Sequence, residues 1–302
     1  MEGPAPHRPV LVQEVVALLE PAGRKVIVDC TVGLGGHAEA LLAAGGEGQL
    51  LGIDVDEGNL LAARGRLERF APRFRLFRAN FADLAAVLTV AGVAAADGLL
   101  ADLGVASSQL DDPARGLSFA VDGPLDMRLD RSAGLTAADL VNDTDEEELA
   151  DLIYKYGEER YSRRIARAIV QRRRLGRILR TTDLAEVVAG AYPPIALHTR
   201  RGVHPATRTF QALRIAVNNE MARLESLLGA LPSVLGAGGR AAIISFHSLE
   251  DRRVKQAFAA LVAAGRAKVL TRKPITPSDE EVRENPRSRS AKLRVLEMEC
   301  AP

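Results

Sequence analysis

Val26-Ile27-Val28-Asp29-Cys30-Thr31-Val32-Gly33-Leu34-Gly35-Gly36-His37 is the stretch whose reading decides the fold. An apolar run ends in a carboxylate, breaks into a glycine turn and passes into a small-residue helical pattern, Ala38 to Ala44. Short continuous apolar runs of this kind read as parallel strands buried on both faces. Gly33, Gly35 and Gly36 let the backbone turn tightly and approach a ligand where a Cβ would intrude. About twenty residues on, a second run, Leu50-Leu51-Gly52-Ile53, ends in Asp54-Val55-Asp56. An acid at that second strand tip is placed to accept hydrogen bonds from a ribose. The pair of strand tips reads as a site for a nucleoside-containing cofactor.

Two cofactors compete for this geometry. Gly33-x-Gly35-x-x-Ala38 fits the looser dinucleotide fingerprint, which seats a pyrophosphate on a helix N-terminus. Asp29 stands against it. A carboxylate at the first strand tip repels a pyrophosphate but pairs with a cation such as the amino-acid ammonium of S-adenosylmethionine. On charge, S-adenosylmethionine ranks ahead of a nicotinamide cofactor. A glycine turn that binds nothing is the plain structural alternative.

A chain of 302 residues has room for about two domains, and 47% hydrophobic content supports a substantial core. No basic-then-apolar leader pattern opens the sequence, and no uncharged apolar run reaches the ~18 residues of a membrane span, so a cytoplasmic protein is expected. The two cysteines, Cys30 and Cys300, build neither a disulfide framework nor a zinc cluster. The five histidines, His7, His37, His198, His204 and His247, lack metal-ligand spacing, so no structural metal is expected. Net charge is only +1, but it is unevenly spread: acids crowd Asp143 to Asp151, arginines crowd Arg160 to Arg180 and Arg283 to Arg294.

Residues 26 to 102 alternate strand and helix patterns. Leu60 to Phe70 and Leu84 to Val90 read as helices. Phe74 to Phe77, leading into Asn80-Phe81, and Gly98 to Ala101, leading into Asp102-Leu103-Gly104, read as strands. Alternation of this kind specifies a doubly wound parallel sheet whose ligands bind at the carboxyl ends of the strands. Asp29, Asp54, Phe81 and Asp102 then gather along one edge. From Ser107 to about Pro205 the strand signal disappears. Thr136-x-x-Asp139 and Thr144-x-x-Glu147 mark helix starts. Helices are expected from Thr144 to Gly157, from Glu158 to Leu175 with Tyr161, Ile165 and Ile169 on one face, and after Thr182. The α/β pattern resumes near Thr207 with a long helix, Phe210 to Leu235, broken near Pro232. After it come a strand from Ala241 to Phe246, a helix from Leu249 to Ala264, and strands at Lys268 to Leu270 and Leu293 to Met298. The expected organisation is an α/β domain of residues 1–109 and 206–302 interrupted by a helical domain of residues 110–205.

Several blocks now resemble a known family. They include Val28 to His37, Gly52-Ile53-Asp54, Asp102-Leu103-Gly104-Val105, Gln109-Leu110-Asp111 and Gly123-Pro124-Leu125-Asp126-Met127-Arg128. Tyr156-Gly157-Glu158-Glu159-Arg160, His204 to Ile215, Ile244 to Arg252 and Asn285 to Arg294 complete the set. In number and order they resemble the bacterial 16S ribosomal RNA cytosine-N4-methyltransferases that act in the decoding region of the small subunit. The resemblance runs from His7 to Glu297. It implies a class I S-adenosylmethionine methyltransferase with a Rossmann-like doubly wound sheet and an inserted all-helical substrate domain after the fourth strand. It implies cofactor contacts at Gly35, Gly36, His37, Asp54, Phe81, Asp102 and Gln109. The chain departs from the family pattern at Ala106-Ser107-Ser108, Leu117 and Asn219, where Ser-Ser-Pro, Phe and an acid are usual.

That chemistry needs an acceptor beside the target amine, since the lone pair of a cytosine amine is conjugated with the ring. Asp102 is the candidate, to orient the amine or take its proton, with cofactor binding as its equal alternative. Phe81 is placed to stack on adenine. The target base must be presented unstacked. Arg115, Arg128, Arg208, Arg214, Arg287, Arg289 and Lys292 are the candidate phosphate contacts, while Arg160 to Arg180 reads equally as a solvated helix face. His247 reads as a wall of the substrate pocket or an N-terminal helix cap. The expected partner is 16S ribosomal RNA, naked or in the small subunit, with a homodimer left open. Two other readings remain: a non-catalytic assembly factor that binds ribosomal RNA, and a nicotinamide oxidoreductase.

Overall fold

The computed structural model describes residues 9–132, 134–193 and 204–299; His7, His198 and Cys300 lie outside them. Seven strands form one sheet in the order β3-β2-β1-β4-β5-β7-β6. These are β1 Val26–Asp29, β2 Gln49–Asp54, β3 Phe74–Arg78, β4 Ala96–Asp102, β5 Leu235–Ser245, β6 Ala267–Val269 and β7 Lys292–Met298. Strands β1 to β5 run parallel, and β7 runs antiparallel to both β5 and β6. This is the sheet expected of a class I methyltransferase. Its order reverses between β1 and β4, where a doubly wound sheet opens its ligand crevice.

Alternate residues of each strand feed two separate cores, as the period of two requires. Val28, Leu51, Ile53, Leu99 and Ile243 pack with Leu84 and Leu88, with Leu224, Leu227 and Leu231, and with Val254 and Phe258. On the opposite face Ile27, Leu50, Leu100, Ala242 and Leu293 pack with Val15 and Leu19, Leu41 and Leu42, and Ala63 and Leu67. Burial on both faces is why these strands are short apolar runs rather than alternating ones.

The chain divides into two compact units, Met1–Gly104 with Met221–Pro302, and Val105–Glu220. The second is helical: Ser107–Asp111, Ala137–Asp143, Glu146–Gly157, Ser162–Arg173, Thr181–Gly190 and Thr207–Val217. It has a core of its own, in which Val141, Leu149, Ile153, Ile165, Ile169, Leu184, Val188, Phe210 and Leu213 meet. The helical unit is thus wider than the expected 110–205. The Thr207–Val217 helix goes with it because Phe210 and Leu213 bury themselves there rather than against the sheet.

Other boundaries also shift. The long helix expected from Phe210 to Leu235 is two helices, Thr207–Val217 and Glu220–Val234, parted at Asn219 (φ 49°) and not at Pro232, which sits inside the second helix. Strand β5 begins at Leu235, six residues before the expected Ala241: Leu235 pairs with Ala96, the ladder shifts register across glycines that include left-handed Gly238 (φ 73°), and regular pairing resumes at Arg240. Thr136 caps its helix as expected, accepting from the Asp139 N–H while the Asp139 carboxylate accepts from the Thr136 N–H. Thr144 does not. It ends the preceding helix, donating its N–H to Leu140 O, and the next helix starts at Glu146 behind Asp145. Residues 158–161 form a turn rather than helix. Glu158 is left-handed, and the buried Glu159 carboxylate accepts from the Tyr161 N–H and the Tyr192 hydroxyl.

Asn218 holds the helical unit's most constrained loop. Its side-chain amide donates to Met127 O at 2.8 Å and Arg214 O at 2.9 Å, and its Oδ1 accepts from the Leu129 N–H at 2.8 Å. Met127 is fully buried at φ 64°, a conformation a non-glycine residue holds only when its surroundings impose it. Removing this amide leaves a buried donor and acceptor unmatched, at about 1–3 kcal/mol each. Asn218→Ala is therefore expected to lower the helical unit's stability by at least about 2 kcal/mol. Calorimetry would show it as an earlier transition for that unit, with the sheet unit's transition unmoved.

Candidate active site

The carboxyl ends of β1, β2 and β4 each finish on an aspartate, and the loop after β3 supplies Phe81. Gly33 and Gly35 carry the chain from β1 into the Gly36–Ala44 helix at φ 50° and 81°. At Gly35 a Cβ would stand 3.2 Å from the Ala63 backbone, so only glycine fits both the turn and the neighbour. Gly36 packs against Pro9, whose Cγ would lie 2.9 Å from any Cβ there.

Asp54 organises this loop. Its Oδ2 accepts from the Gly33 N–H at 3.0 Å and the Asn59 amide at 3.2 Å, and its Oδ1 accepts from the Asp56 N–H at 2.8 Å. A carboxylate offers about four acceptor sites, so one direction stays open for a ligand hydroxyl. Burial raises the Asp54 pKa despite these bonds.

Asp29 is 1% exposed. Its Oδ1 accepts from the Thr31 N–H at 3.1 Å, and its Oδ2 has no partner among the described residues. Burial pushes its pKa up to about 6, with His37 opposing and the charges of Asp102 and Asp54 adding. Asp102 repeats the pattern one strand away. Its N–H donates to Thr31 Oγ1 at 2.7 Å, its Oδ2 lies 3.7 Å from His37 Nδ1, and its buried Oδ1 has no partner among the described residues. Burial raises its pKa too. His37 is buried and fixed by a 2.8 Å contact between Nε2 and Val10 O, which leaves Nδ1 facing Asp102. Thr31 therefore ties the two acids together, donating its N–H to one and accepting from the backbone of the other.

Two buried carboxylate oxygens without donors call for a ligand that brings donors or positive charge. The ammonium and sulfonium of S-adenosylmethionine answer that need, and Asp54 is set for its ribose, so these residues fit that cofactor. A pyrophosphate in the same crevice would face two acids.

Phe81 opens a short turn capped by Asn80, whose Oδ1 accepts from the Ala82 N–H at 3.0 Å, and stands half-buried at the edge of the sheet core. Gln109 is buried in the helical unit, accepting from the Ala106 N–H at 3.2 Å. His247 caps the Ser248–Ala263 helix. Its Nδ1 accepts from the Glu250 N–H at 3.4 Å, Nε2 lies 3.1 Å from Glu250 Oε1, and Glu250 Oε2 accepts from the Phe246 N–H at 2.8 Å.

The basic candidates differ in burial and surroundings. Arg128 makes a two-pronged pair with Asp126 at 2.7 and 2.9 Å, and Arg214 with Glu220 at 2.8 and 2.9 Å. Arg115 is half-buried and donates to Leu129 O. Lys292 lies 3.4 Å from Asp251. Arg208 is exposed while donating to Glu158 O, and Arg287 and Arg289 are exposed on a short helical turn pinned by buried Ser288. In the arginine-rich stretch, Arg163, Arg167, Arg177 and Arg180 pair with Asp151, Glu146, Asp143 and Asp122. Thr31 and Asn59 join the site without having been expected from sequence. The spacing Asp56-x-x-Asn59 is the available signal for the second, since Asp56 caps the helix that presents it.

A family model described as the MraW methylase family matches residues 4–299. A protein of Sorangium cellulosum called ribosomal RNA small subunit methyltransferase H is 51% identical over 288 residues, covering 95% of this chain and 89% of that protein. Proteins of the same description from Geobacter sp. strain M21 and Deinococcus radiodurans are 50% and 49% identical, covering 96% and 98% of this chain and 98% and 91% of those proteins. None of the described helices is long and apolar enough to cross a membrane.

The raised Asp29 pKa has a sign that can be measured. Between the unfolded value near 3.8 and about 6 the folded protein holds a proton that the unfolded chain has lost. Asp29 thus weakens the ligand-free fold as pH rises through this window, by up to about 3 kcal/mol once the window is passed. An asparagine side chain, isosteric and uncharged, escapes the penalty. Denaturation of the Asp29→Asn variant should match wild type near pH 4 and exceed it at pH 7.

Proposed function

Since the chain belongs to the MraW methylase family, we propose that it is an S-adenosylmethionine-dependent methyltransferase acting on N4 of a cytidine in the decoding region of 16S ribosomal RNA. The observation that carries this reading is the partnerless Oδ1 of Asp102 at the tip of β4, beside the equally partnerless Oδ2 of Asp29, among the described residues. The nicotinamide alternative does not survive the family match, and the acids at the two strand tips oppose it as well.

Asp29 would hold the cationic end of the donor, Asp54 its ribose and Phe81 its adenine. Bound S-adenosylmethionine supplies a methyl group already activated by its sulfonium. What remains for the protein is alignment and a proton acceptor. Asp102 Oδ1 accepts a hydrogen bond from the exocyclic amine, which turns the nitrogen lone pair out of conjugation and toward the methyl group. The same oxygen would take the proton that the amine gives up on methylation, and its raised pKa suits it to receive it. His37 Nδ1 lies 3.7 Å from Asp102 Oδ2, on the side of the carboxylate away from Oδ1. Arg208, Arg287 and Arg289, all exposed to solvent, take phosphates, and Arg128 and Arg214 order the helical unit through Asp126 and Glu220. The partner is 16S ribosomal RNA or the small subunit, and a cytoplasmic location follows from it.

Nucleoside mass mapping of 16S ribosomal RNA from a strain lacking the protein is expected to show one N4-methylcytidine missing. Wild type should restore it, and Gly35→Asp should not, because a carboxylate there collides with Ala63. Restoration by Gly35→Asp, or no missing methyl group, would defeat the assignment. With purified protein, Asp102→Asn should lower kcat by about 10²- to 10⁴-fold, the usual contribution of a general base. Binding of S-adenosylhomocysteine, measured by calorimetry, should weaken far less. Loss of both together would reassign Asp102 to cofactor binding alone.

A further inference from the structure

The helical unit carries an aromatic pair that the reading above leaves unused. His204 is exposed, and its ring centroid lies 4.7 Å from that of half-buried Phe119, the planes tilted by 40°. Phe119 is backed in turn by buried Phe210, 4.7 Å away and edge-on at 69°. Exposed imidazoles usually rotate freely. This one does not: the Ala206 N–H donates to His204 Nδ1 at 3.2 Å while His204 O accepts from the Thr207 N–H at 3.1 Å. The ring is therefore held at the start of the Thr207–Val217 helix, with Nε2 carrying the hydrogen of the neutral imidazole. Phe119 is steadied from below by Phe210 and its helical core.

We propose that His204 on Phe119 forms a stacking platform for an unpaired base of the RNA substrate. This rests on the reading of the chain as an RNA methyltransferase and adds a named binding site to it. Sequence-tolerant recognition of single-stranded RNA is built from aromatic faces held rigid beside cations. Here the face is fixed by a backbone hydrogen bond, and Arg208 is exposed one helical turn further on, its Nη1 held by Glu158 O. Edge-on packing leaves Phe210 inside, so the surface offered to a ligand is the imidazole and what Phe119 leaves uncovered. An apolar protein partner is a poorer fit, because the pair presents one small polar ring beside a guanidinium rather than a broad apolar patch.

The chain contains no tryptophan, so His204→Trp introduces a single fluorophore at the proposed contact. Titration with a twelve-residue oligocytidylate, and separately with small ribosomal subunits from a strain lacking the protein, should quench that fluorescence. Quenching by either supports the platform; none by either, at concentrations that saturate binding in a filter assay, overturns it. In methylation assays His204→Ala and Phe119→Ala should raise KM for the RNA about tenfold, in line with the loss of one base stack. His204→Tyr should restore most of it, and affinity for S-adenosylhomocysteine should not move. An unchanged KM in His204→Ala overturns the platform while leaving the methyltransferase reading intact. Failure of wild type to methylate RNA, with the His204→Trp fluorescence still quenched, removes that reading and keeps the RNA contact.

Discussion

Burying carboxylates at the switch point of a parallel sheet is the constraint around which the rest of the sheet unit is arranged. Moving an ionised carboxylate out of water costs several kcal/mol unless hydrogen bonds or opposite charges replace the solvent. Asp54 is compensated by three donors, two backbone N–H groups from the loops at the strand tips and the Asn59 amide from the helix that follows β2. Asp29 and Asp102 are compensated only in part. Each keeps one oxygen without a donor among the described residues, and Thr31 links them into a single unit at the tips of β1 and β4. The sheet can carry this deficit because its strands, through Val28, Leu99 and Ile243 on one face and Ile27, Leu100 and Ala242 on the other, pack into dry cores. A cationic ligand against Asp29 Oδ2, as proposed above, would offset part of that loss and so link apparent stability to cofactor affinity.

The helical unit solves a different problem. It interrupts the sheet chain after β4 and must hold its own core, which it does with the aliphatic faces of its helices and with buried polar ties rather than with sheet contacts. Asn218 fixes Met127 and Leu129, Asn142 links Ala138 to Ile178, and Thr181 links to Gly123. Most of these ties join residues distant in sequence, so the loop between residues 112 and 131 keeps one shape with little regular secondary structure. Rigid loops suit a surface that must discriminate a folded RNA, since ordering them on binding would cost affinity.

How much of this is legible in the sequence follows from whether the signal is local. The β1 turn, the Asp54 tip and the β4 tip can be read, because a short apolar run, a glycine turn and an acid are all adjacent in sequence. The helix break cannot. Proline is the obvious local breaker and points to Pro232, whereas the left-handed Asn219 follows from Asn218 reaching across to Met127, a contact separated by 91 residues. The early start of β5 is hidden by the glycines of a register shift, before which only Leu235 pairs. The arginine-rich helix looks like an anion surface because its counter-charges lie in another helix. Arg163 and Arg167 face Asp151 and Glu146, which only the packing of the two helices brings together.

That neutralisation bears on how the chain can select RNA at all. With a net charge of +1 and four of the nine arginines from Arg160 to Arg180 paired with acids, the chain offers only a weak overall positive field to pull in a polyanion. Non-specific binding, which depends on counting phosphates, is correspondingly disfavoured. On the reading proposed above, discrimination would rest on a few placed contacts, with the exposed Arg208, Arg287 and Arg289 as candidates for phosphates and the aromatic pair as the candidate for a base. A weak general attraction combined with rigid local contacts selects for shape.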